Sequence, residues 1–302
     1  MATEFLRFPA HAGRRDDPPR ELLLPAALLI LCIDIVWCVV AGWRIPPRQL
    51  LLGAAGCAAP LALLAMPRYR NDFRVRSICT AAAQFVFFTN VAALLSYLVV
   101  STHAPLADAT FARWDRWLGF DWPGLYRWLH DRPRLDEALA WAYGSALFQM
   151  AFLIVYLSLR RQRARLVEFF NVVVIAFVVT TVIAGWLPAA GAAKFYWPAV
   201  HADLAMWSDF EPLRAGTLKS FDLLRTQGLF SFPSFHTVTA VALAYAMRKS
   251  RLFPLFLVLN ALVIAATPTH GGHYLVDVLA GLATAAAAIA ASRSRPMLRT
   301  RR

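Results

Sequence analysis

The stretch Gly271-Gly-His-Tyr-Leu-Val-Asp-Val-Leu-Ala-Gly281 opens an apolar segment that continues to residue 292. His273 and Asp277 are four residues apart, so a helix that starts here carries both on one face. An apolar run of this length can cross a bilayer as a helix. Because ionisable side chains are costly in such helices and mark functional sites, the stretch predicts a membrane helix that begins at a chemical site.

A second stretch, Ser231-Phe-Pro-Ser-Phe-His-Thr237, precedes another apolar segment in the same manner and puts His236 at its start. Ser234 has the residue type and position of a helix N-cap. The free N–H groups and the dipole of a helix start also favour an anion. Ser234 is therefore a candidate for two roles that can coexist, a helix cap and a substrate-binding residue.

The composition predicts an all-α, polytopic membrane helical bundle of about eight spans. Hydrophobic residues make up 59% of the 302-residue chain and the mean hydropathy is +0.51, which is too apolar for an ordinary soluble protein. A single transmembrane catalytic domain is expected over 22–292, between basic cytoplasmic tails at 1–21 and 293–302. The predicted spans lie near 22–42, 49–66, 78–100, 137–158, 166–187, 234–248, 252–268 and 273–292, of which the second, sixth and seventh are short.

The charge distribution predicts the orientation of these spans. Of the net charge of +13, nearly all lies in the loops on the N-terminal side of the membrane, whereas the opposite loops are almost neutral. Because Lys and Arg are retained in the cytoplasm, both termini are expected there, with His236 and His273 on the outer side. The alanine- and arginine-rich composition favours a bacterial inner membrane, with the site facing the periplasm or exterior. No basic folded surface indicates nucleic-acid binding.

Two long outer loops flank the predicted site. The 101–136 loop contains four tryptophans among arginines and aspartates, which predicts an interfacial helix or a re-entrant cover. Its tryptophans are Trp114, Trp117, Trp122 and Trp128. The 188–233 loop leads directly into the second motif and is long for a simple connection, so we expect it to be functional.

Two histidines with a carboxylate suit phosphoryl transfer. Histidine can be a nucleophile, a carboxylate on its other ring nitrogen fixes the tautomer, and a second histidine can supply a proton. Asp277 and His236 are placed for these roles around His273, and Gly271 and Gly272 allow close approach of the backbone to a ligand. A structural pair or two metal ligands are alternatives for His273 and Asp277. The metal alternative lacks a third ligand at defined spacing, since His270 is only a loose candidate.

Pro233-Ser-Phe-His236 and His273-Tyr-Leu-Val-Asp277 resemble the two motifs of the type 2 phosphatidic acid phosphatase superfamily. Their surroundings, together with Asp115-Arg-Trp-Leu-Gly-Phe-Asp-Trp122, look like the branch of inositol phosphorylceramide synthase and its bacterial relatives. The resemblance covers roughly residues 100–290. It implies a six-helix core and metal-independent catalysis without a cofactor, with His273 as nucleophile, Asp277 as its orienting partner and His236 as general acid.

The sequence departs from that superfamily in its cations. An early Lys…Arg-Pro motif has no match, and Thr267 stands where an arginine usually precedes the nucleophile. Other groups must therefore meet the phosphate charge. The candidates on the outer side, which the sequence does not rank, are Lys194, Arg214, Lys219, Arg225 and His270.

The predicted function is an integral-membrane lipid phosphatase or phosphotransferase that acts at the outer leaflet through a phosphohistidine intermediate. Its expected partners are a membrane lipid phosphate and, for transfer, an alcohol acceptor that is a lipid or a polyol. The sequence carries no signal for the oligomeric state. A non-catalytic transporter or scaffold is the alternative, although the inverted repeats and mid-membrane helix breaks typical of transporters are not seen.

Overall fold

The structure is a computed structural model that describes residues 21–200 and 208–293. Within these residues the chain is all-α and forms no strand, only an isolated bridge between Arg44 and Ser220. The helices are α1 (Leu23–Ala41), α2 (Pro47–Ala62), α3 (Pro67–Arg70), α4 (Phe73–Val100), α5 (Asp108–Trp117), α6 (Trp122–His130), α7 (Pro133–Gly144), α8 (Ala146–Leu159), α9 (Arg163–Trp186), α10 (Ala192–Phe195), α11 (Trp197–Val200), α12 (Phe210–Arg214), α13 (Phe235–Ala246), α14 (Phe253–His270) and α15 (Leu275–Arg293).

The polytopic helical bundle predicted from the sequence is confirmed. In the described part of the chain, six helices are long and apolar enough to cross a membrane, counting α2 with the short 3₁₀ turn that follows it. A seventh span results if the bent pair α7 and α8 is counted as one, and α13 is a shorter apolar helix. Each of the eight predicted segments thus coincides with one of these elements. Of the predicted tails, only Glu21 and Arg293 lie within the described residues. Leu22 is the first residue of the predicted domain.

The fourth predicted span is not the single straight helix expected over 137–158. The helix starts at Pro133 and breaks after Gly144, where α7 and α8 meet at a bend of 43°. At the break, both the backbone N–H and the Oγ of Ser145 donate to the carbonyl of Ala142, three residues back. Since these bonds replace the regular i→i−4 pattern and glycine is a poor helix former, the chain changes direction here.

The core lies where α1, α4, α9, α13 and α15 pack together. Phe85 stacks on Phe170 at 5.7 Å and Phe88 meets Phe177 edge-on at 5.6 Å, which joins α4 to α9. α13 is enclosed by α9, α14 and α15, so the helix that carries His236 is central in the bundle. By contrast, α2 packs on α4 at the periphery and buries none of its residues.

The 101–136 loop forms two short helices, α5 and α6, and the start of α7. Trp117 is 79% exposed, as an interfacial anchor would be, and Trp114 and Trp128 are also exposed. For Trp122, however, the prediction of an interfacial anchor is wrong. It is buried, and its indole N–H donates to the carbonyl of Pro268 at 3.0 Å, because α6 folds back against the end of α14.

Candidate active site

The two histidine motifs meet at the starts of α13 and α15. His236 lies in the first turn of α13, while His273 stands two residues before α15 and Asp277 lies in its first turn. The ring centroids of His236 and His273 are 6.5 Å apart with an interplanar angle of 62°. The two imidazole rings are therefore close neighbours in the folded chain.

Asp277 holds His273 through one carboxylate oxygen. Nδ1 of His273 lies 3.2 Å from Oδ2 of Asp277, and the side chains of both residues are buried. The same oxygen accepts from Oγ of Ser231 at 2.7 Å and from the backbone N–H of Tyr274 at 3.0 Å. A carboxylate can only accept hydrogen bonds, so Nδ1 of His273 carries the proton and Nε2 presents its lone pair. This is the tautomer that a nucleophilic or basic imidazole requires.

The loop before α15 is held in place by the 190–193 segment. Gly272 has φ = 67°, and its carbonyl accepts from the N–H of Ala193 at 3.3 Å. A Cβ on Gly272 would lie 2.9 Å from the Cβ of Ala193, so the left-handed backbone and the close approach both require glycine here. The segment itself is fixed by Asp108, which accepts from the N–H groups of Ala190 and Gly191 and from the hydroxyl of Tyr274.

Asp115 of α5 caps the start of α15. Its two oxygens accept from the N–H groups of Leu275 at 2.9 Å and Val276 at 3.0 Å, which are among the free donors of the first helical turn. Burial raises the pKa of the Asp115 carboxyl, and the two N–H groups offset part of that shift. The 101–136 loop therefore takes part in building the site, because its aspartate fixes the helix that carries Asp277.

A cavity of about 420 Å³ lies beside the two histidines. Its wall is mostly aliphatic and aromatic, from α4, α8, α9 and the 226–230 segment. Among the described residues, no Lys, Arg, Asp or Glu lines it, and its ionisable groups are His236, His273 and Tyr143. The two histidines thus line an apolar cavity inside the bundle.

Ser234 is found at the N-cap of α13, as its sequence position suggested. Its Oγ accepts from the N–H of Thr237 at 3.4 Å and lies 3.2 Å from the Thr237 hydroxyl. The side chain is fully buried and does not line the cavity. These contacts account for the capping role, and substrate binding by Ser234 stays a prediction.

The predicted cations are not gathered around the histidines. Arg214 donates to the carbonyls of Thr102 and Ala104, and Lys219 donates to the carbonyl of Ala41. Arg225 is exposed in a 3₁₀ turn. His270 lies at the end of α14 with Nε2 3.1 Å from Oδ1 of Asp136.

Lys194 is the lysine or arginine, among those predicted, that is most closely tied to the loop of His273. It follows Ala193, whose N–H bonds to the carbonyl of Gly272. Its side chain is largely buried, with Nζ 5.3 Å from the centre of the Phe210 ring and 4.0 Å from a carboxylate oxygen of Glu211. Burial lowers the pKa of Lys194, while Glu211 and Asp108 oppose that shift.

The described residues contain no ligand set for the metal alternative. Across residues 21–200 and 208–293, no group of three or more His, Cys, Asp or Glu side chains is arranged to hold a metal ion. Oδ2 of Asp277 instead contacts Ser231, His273 and Tyr274.

Comparison with known proteins gives the class to which this fold and site belong. The family model described as the PAP2 superfamily matches residues 109–291, which include both motifs and Asp115. The chain therefore belongs to the PAP2 superfamily, a membership that suggests phosphatase-type activity in an integral membrane protein. No curated protein and no solved structure gives a significant match to the chain.

Four residues of the site were not singled out by the sequence reasoning. Ser231 lies in the stretch that contains His236, and Asp115 begins the stretch that ends at Trp122, but neither was assigned a role. Their positions in these stretches could have indicated that they belong to the site. Asp108 and Tyr143 had no such signal, since each reaches the site from a different helix far away in the chain.

Proposed function

We propose that this protein is an integral-membrane enzyme that cleaves a lipid phosphoester or phosphoanhydride through a phosphohistidine intermediate. One observation carries the proposal: Asp277 fixes the tautomer of His273 while the His236 ring lies 6.5 Å away at the same cavity wall. This is the arrangement that a nucleophile, its orienting group and a proton donor need. Membership of the PAP2 superfamily supports the phosphatase-type part of the proposal.

In the first step, Nε2 of His273 attacks phosphorus and the bond from phosphorus to the leaving oxygen breaks. His236 gives its proton to that oxygen, and the imidazolium formed at His273 is stabilised by Asp277. In the second step, the oxygen of a water or an alcohol attacks phosphorus and the N–P bond breaks. His236 takes the proton of the attacking group, so both histidines return to their starting states.

The apolar cavity supports a lipid substrate. An amphiphile can keep its hydrocarbon part against the aliphatic and aromatic wall while its phosphoryl group lies between the histidines, where the wall becomes polar. Charge on the phosphoryl oxygens has to be met by donors or cations. Among the predicted lysine and arginine residues, Lys194 is the best supported for this role because α10 bonds to the loop of His273.

Two finer parts of the proposal rest on the sequence. The loop charges support an outer-leaflet site with cytoplasmic termini. The resemblance to inositol phosphorylceramide synthase and its bacterial relatives favours transfer to an alcohol over hydrolysis. Both reactions share the phosphohistidine step, and exclusion of water from the cavity would favour transfer.

The test compares wild type with His273→Ala on a panel of lipid phosphates in EDTA, with and without inositol or ceramide as acceptor. We expect turnover in the wild type and a loss on the order of 10⁴-fold or more in the variant. The matched control is His103→Ala, since His103 is an exposed histidine whose side chain makes no hydrogen bond, ion pair or ring contact in the described residues. Free phosphate as product indicates a phosphatase, and a new phosphorylated lipid indicates a transferase. Equal turnover in His273→Ala and wild type contradicts the proposal.

A further inference from the structure

Tyr143 reaches the candidate active site from the break between α7 and α8. Its ring stacks on the ring of His236 with centroids 4.5 Å apart and an interplanar angle of 23°. Its hydroxyl and Cδ2 of His273 both lie 2.7 Å from the point where a Cβ on Gly271 would stand. The phenol is thus a close neighbour of both histidines. Tyr143 is the last residue before Gly144 and so lies at the bend between α7 and α8.

The hydroxyl of Tyr143 is the uncommitted hydroxyl of the cavity. Four other residues with hydroxyl groups line this cavity, and each donates to a carbonyl within four residues of itself: Thr89, Ser96, Thr226 and Thr239. Tyr143 has ring contacts with His236 and His270. Within residues 21–200 and 208–293, its hydroxyl has no hydrogen-bond partner. Because Tyr143 is half-buried and lines the cavity, this hydroxyl is available to a ligand there.

The charge of a transferring phosphoryl group makes such a donor necessary. That group carries negative charge on its non-bridging oxygens throughout the reaction. No Lys or Arg among the described residues lines the cavity, and Arg214 and Lys219 are engaged by backbone carbonyls. A neutral donor in an apolar cavity interacts strongly with an anion, because little water competes for it.

We propose that Tyr143 is a further catalytic residue, whose phenol O–H donates a hydrogen bond to a non-bridging phosphoryl oxygen while its ring holds His236 in position. The proposal rests on the phosphohistidine function proposed above and deepens it. It assigns to a tyrosine on α7 part of the charge stabilisation that the missing arginine before the nucleophile would supply. The O–H remains bonded to Tyr143 throughout, so the proton balance of the two steps is unchanged.

The test separates the hydroxyl from the ring. Tyr143→Phe removes only the O–H and keeps the stack on His236, whereas Tyr143→Leu removes both. We expect Tyr143→Phe to lower kcat about 100-fold, the usual effect of losing one donor to a developing oxyanion, with KM changed less than about threefold. The matched control is Tyr156→Phe in α8 of the same bent pair, which lies outside the cavity wall and should keep wild-type kcat.

A second measurement uses orthovanadate, which mimics the phosphoryl group in the transition state. Its binding is followed by the rise in the unfolding temperature of the protein in detergent. Tyr143→Phe should weaken vanadate binding about ten- to hundredfold, as expected for a lost hydrogen bond to a charged group. Because vanadate binding needs no turnover, this readout also serves a variant of low activity. Unchanged vanadate affinity in Tyr143→Phe overturns the proposal.

The outcomes of the proposed function and of this proposal are distinguishable. If His273→Ala is inactive while Tyr143→Phe keeps kcat within about twofold, the phosphohistidine function stands and the tyrosine has no part in it. If only Tyr143→Leu loses activity, the ring packs against His236 and the donor role is wrong. If His273→Ala keeps full turnover, the proposed function itself fails.

Discussion

The backbone N–H of Ser234 donates to the backbone carbonyl of Asp277 at 3.0 Å, so the two helix starts that carry the histidines are hydrogen-bonded to each other. One turn further along α15, a Cβ on Gly281 would lie 2.6 Å from the carbonyl oxygen of Ser234 and 2.9 Å from Cβ of Thr237. The separation of His236 from His273 is therefore set by direct backbone contact between α13 and α15. It does not depend on the 101–136 and 188–233 loops alone.

We expect Gly281→Ala to force α13 and α15 apart at this contact. Overpacking of this kind costs about 1–3 kcal/mol, and the accompanying shift of His236 should lower kcat more than it raises KM. The measurement is the free energy of unfolding in detergent together with turnover. Gly185→Ala in α9 is the matched control, since its nearest neighbour to a new Cβ is a Val99 methyl at an ordinary 3.6 Å. Wild-type stability and kcat in Gly281→Ala would show that the contact is not tight.

Asp277→Asn should abolish most of the activity without unfolding the protein. Oδ2 of the carboxylate now accepts from Ser231, His273 and Tyr274. The substitution converts the carboxylate to an amide, and an amide NH2 group facing Nδ1 of His273 would favour the wrong tautomer. We expect kcat to fall about 10³- to 10⁴-fold, by analogy with the aspartate of a serine-protease triad. Because both residues act as one unit, the double variant with His273→Ala should be no worse than His273→Ala. A loss of less than about tenfold in Asp277→Asn speaks against the assigned role.

Asp115→Asn tests whether α5 supports the site. An asparagine has one acceptor oxygen where the carboxylate offers two, so either Leu275 or Val276 loses its partner. We expect a loss of about 1–3 kcal/mol in the free energy of unfolding. The exposed Asp131, which follows α6, provides the control variant Asp131→Asn. Equal stability of the two variants would show that Asp115 does not stabilise the start of α15.

Lys194 should give the enzyme an alkaline limit. Burial lowers its pKa, so its charge is lost at a lower pH than for an ordinary lysine, and kcat/KM for an anionic substrate should fall as pH rises through that value. Stability should move the other way. Over the interval up to the ordinary lysine pKa the unfolded chain binds more protons than the folded one, so the free energy of unfolding rises with pH.

The check is the pH profile of kcat/KM between about pH 7 and pH 10.5. Lys194→Arg keeps its charge over this whole range and should extend the plateau. Lys219→Arg is the control, because Lys219 is exposed and donates to the carbonyl of Ala41. If both variants keep the wild-type profile, Lys194 does not set the alkaline limit.

The pattern of apolar runs was sufficient to locate the helices, because a segment that crosses a bilayer must be apolar over its whole length. It failed at Ser145, where a local hydrogen bond to Ala142 breaks a predominantly apolar run. The prediction from the tryptophans of the 101–136 loop failed at Trp122. A tryptophan suits both a membrane interface and a protein core, and only packing distinguishes the two environments.

By itself, the sequence determined the all-α membrane bundle, the two helix starts with His236 and His273, and the placement of Asp277 beside His273, since these follow from hydropathy and from the four-residue spacing of one helical turn. Tertiary structure alone decided that Ser231, Asp115 and Tyr143 join this site and that Arg214 and Lys219 bond elsewhere. The physical reason is that such contacts join helices far apart in the chain. Their partners are set by how the helices pack around the cavity, which no local pattern of residues encodes.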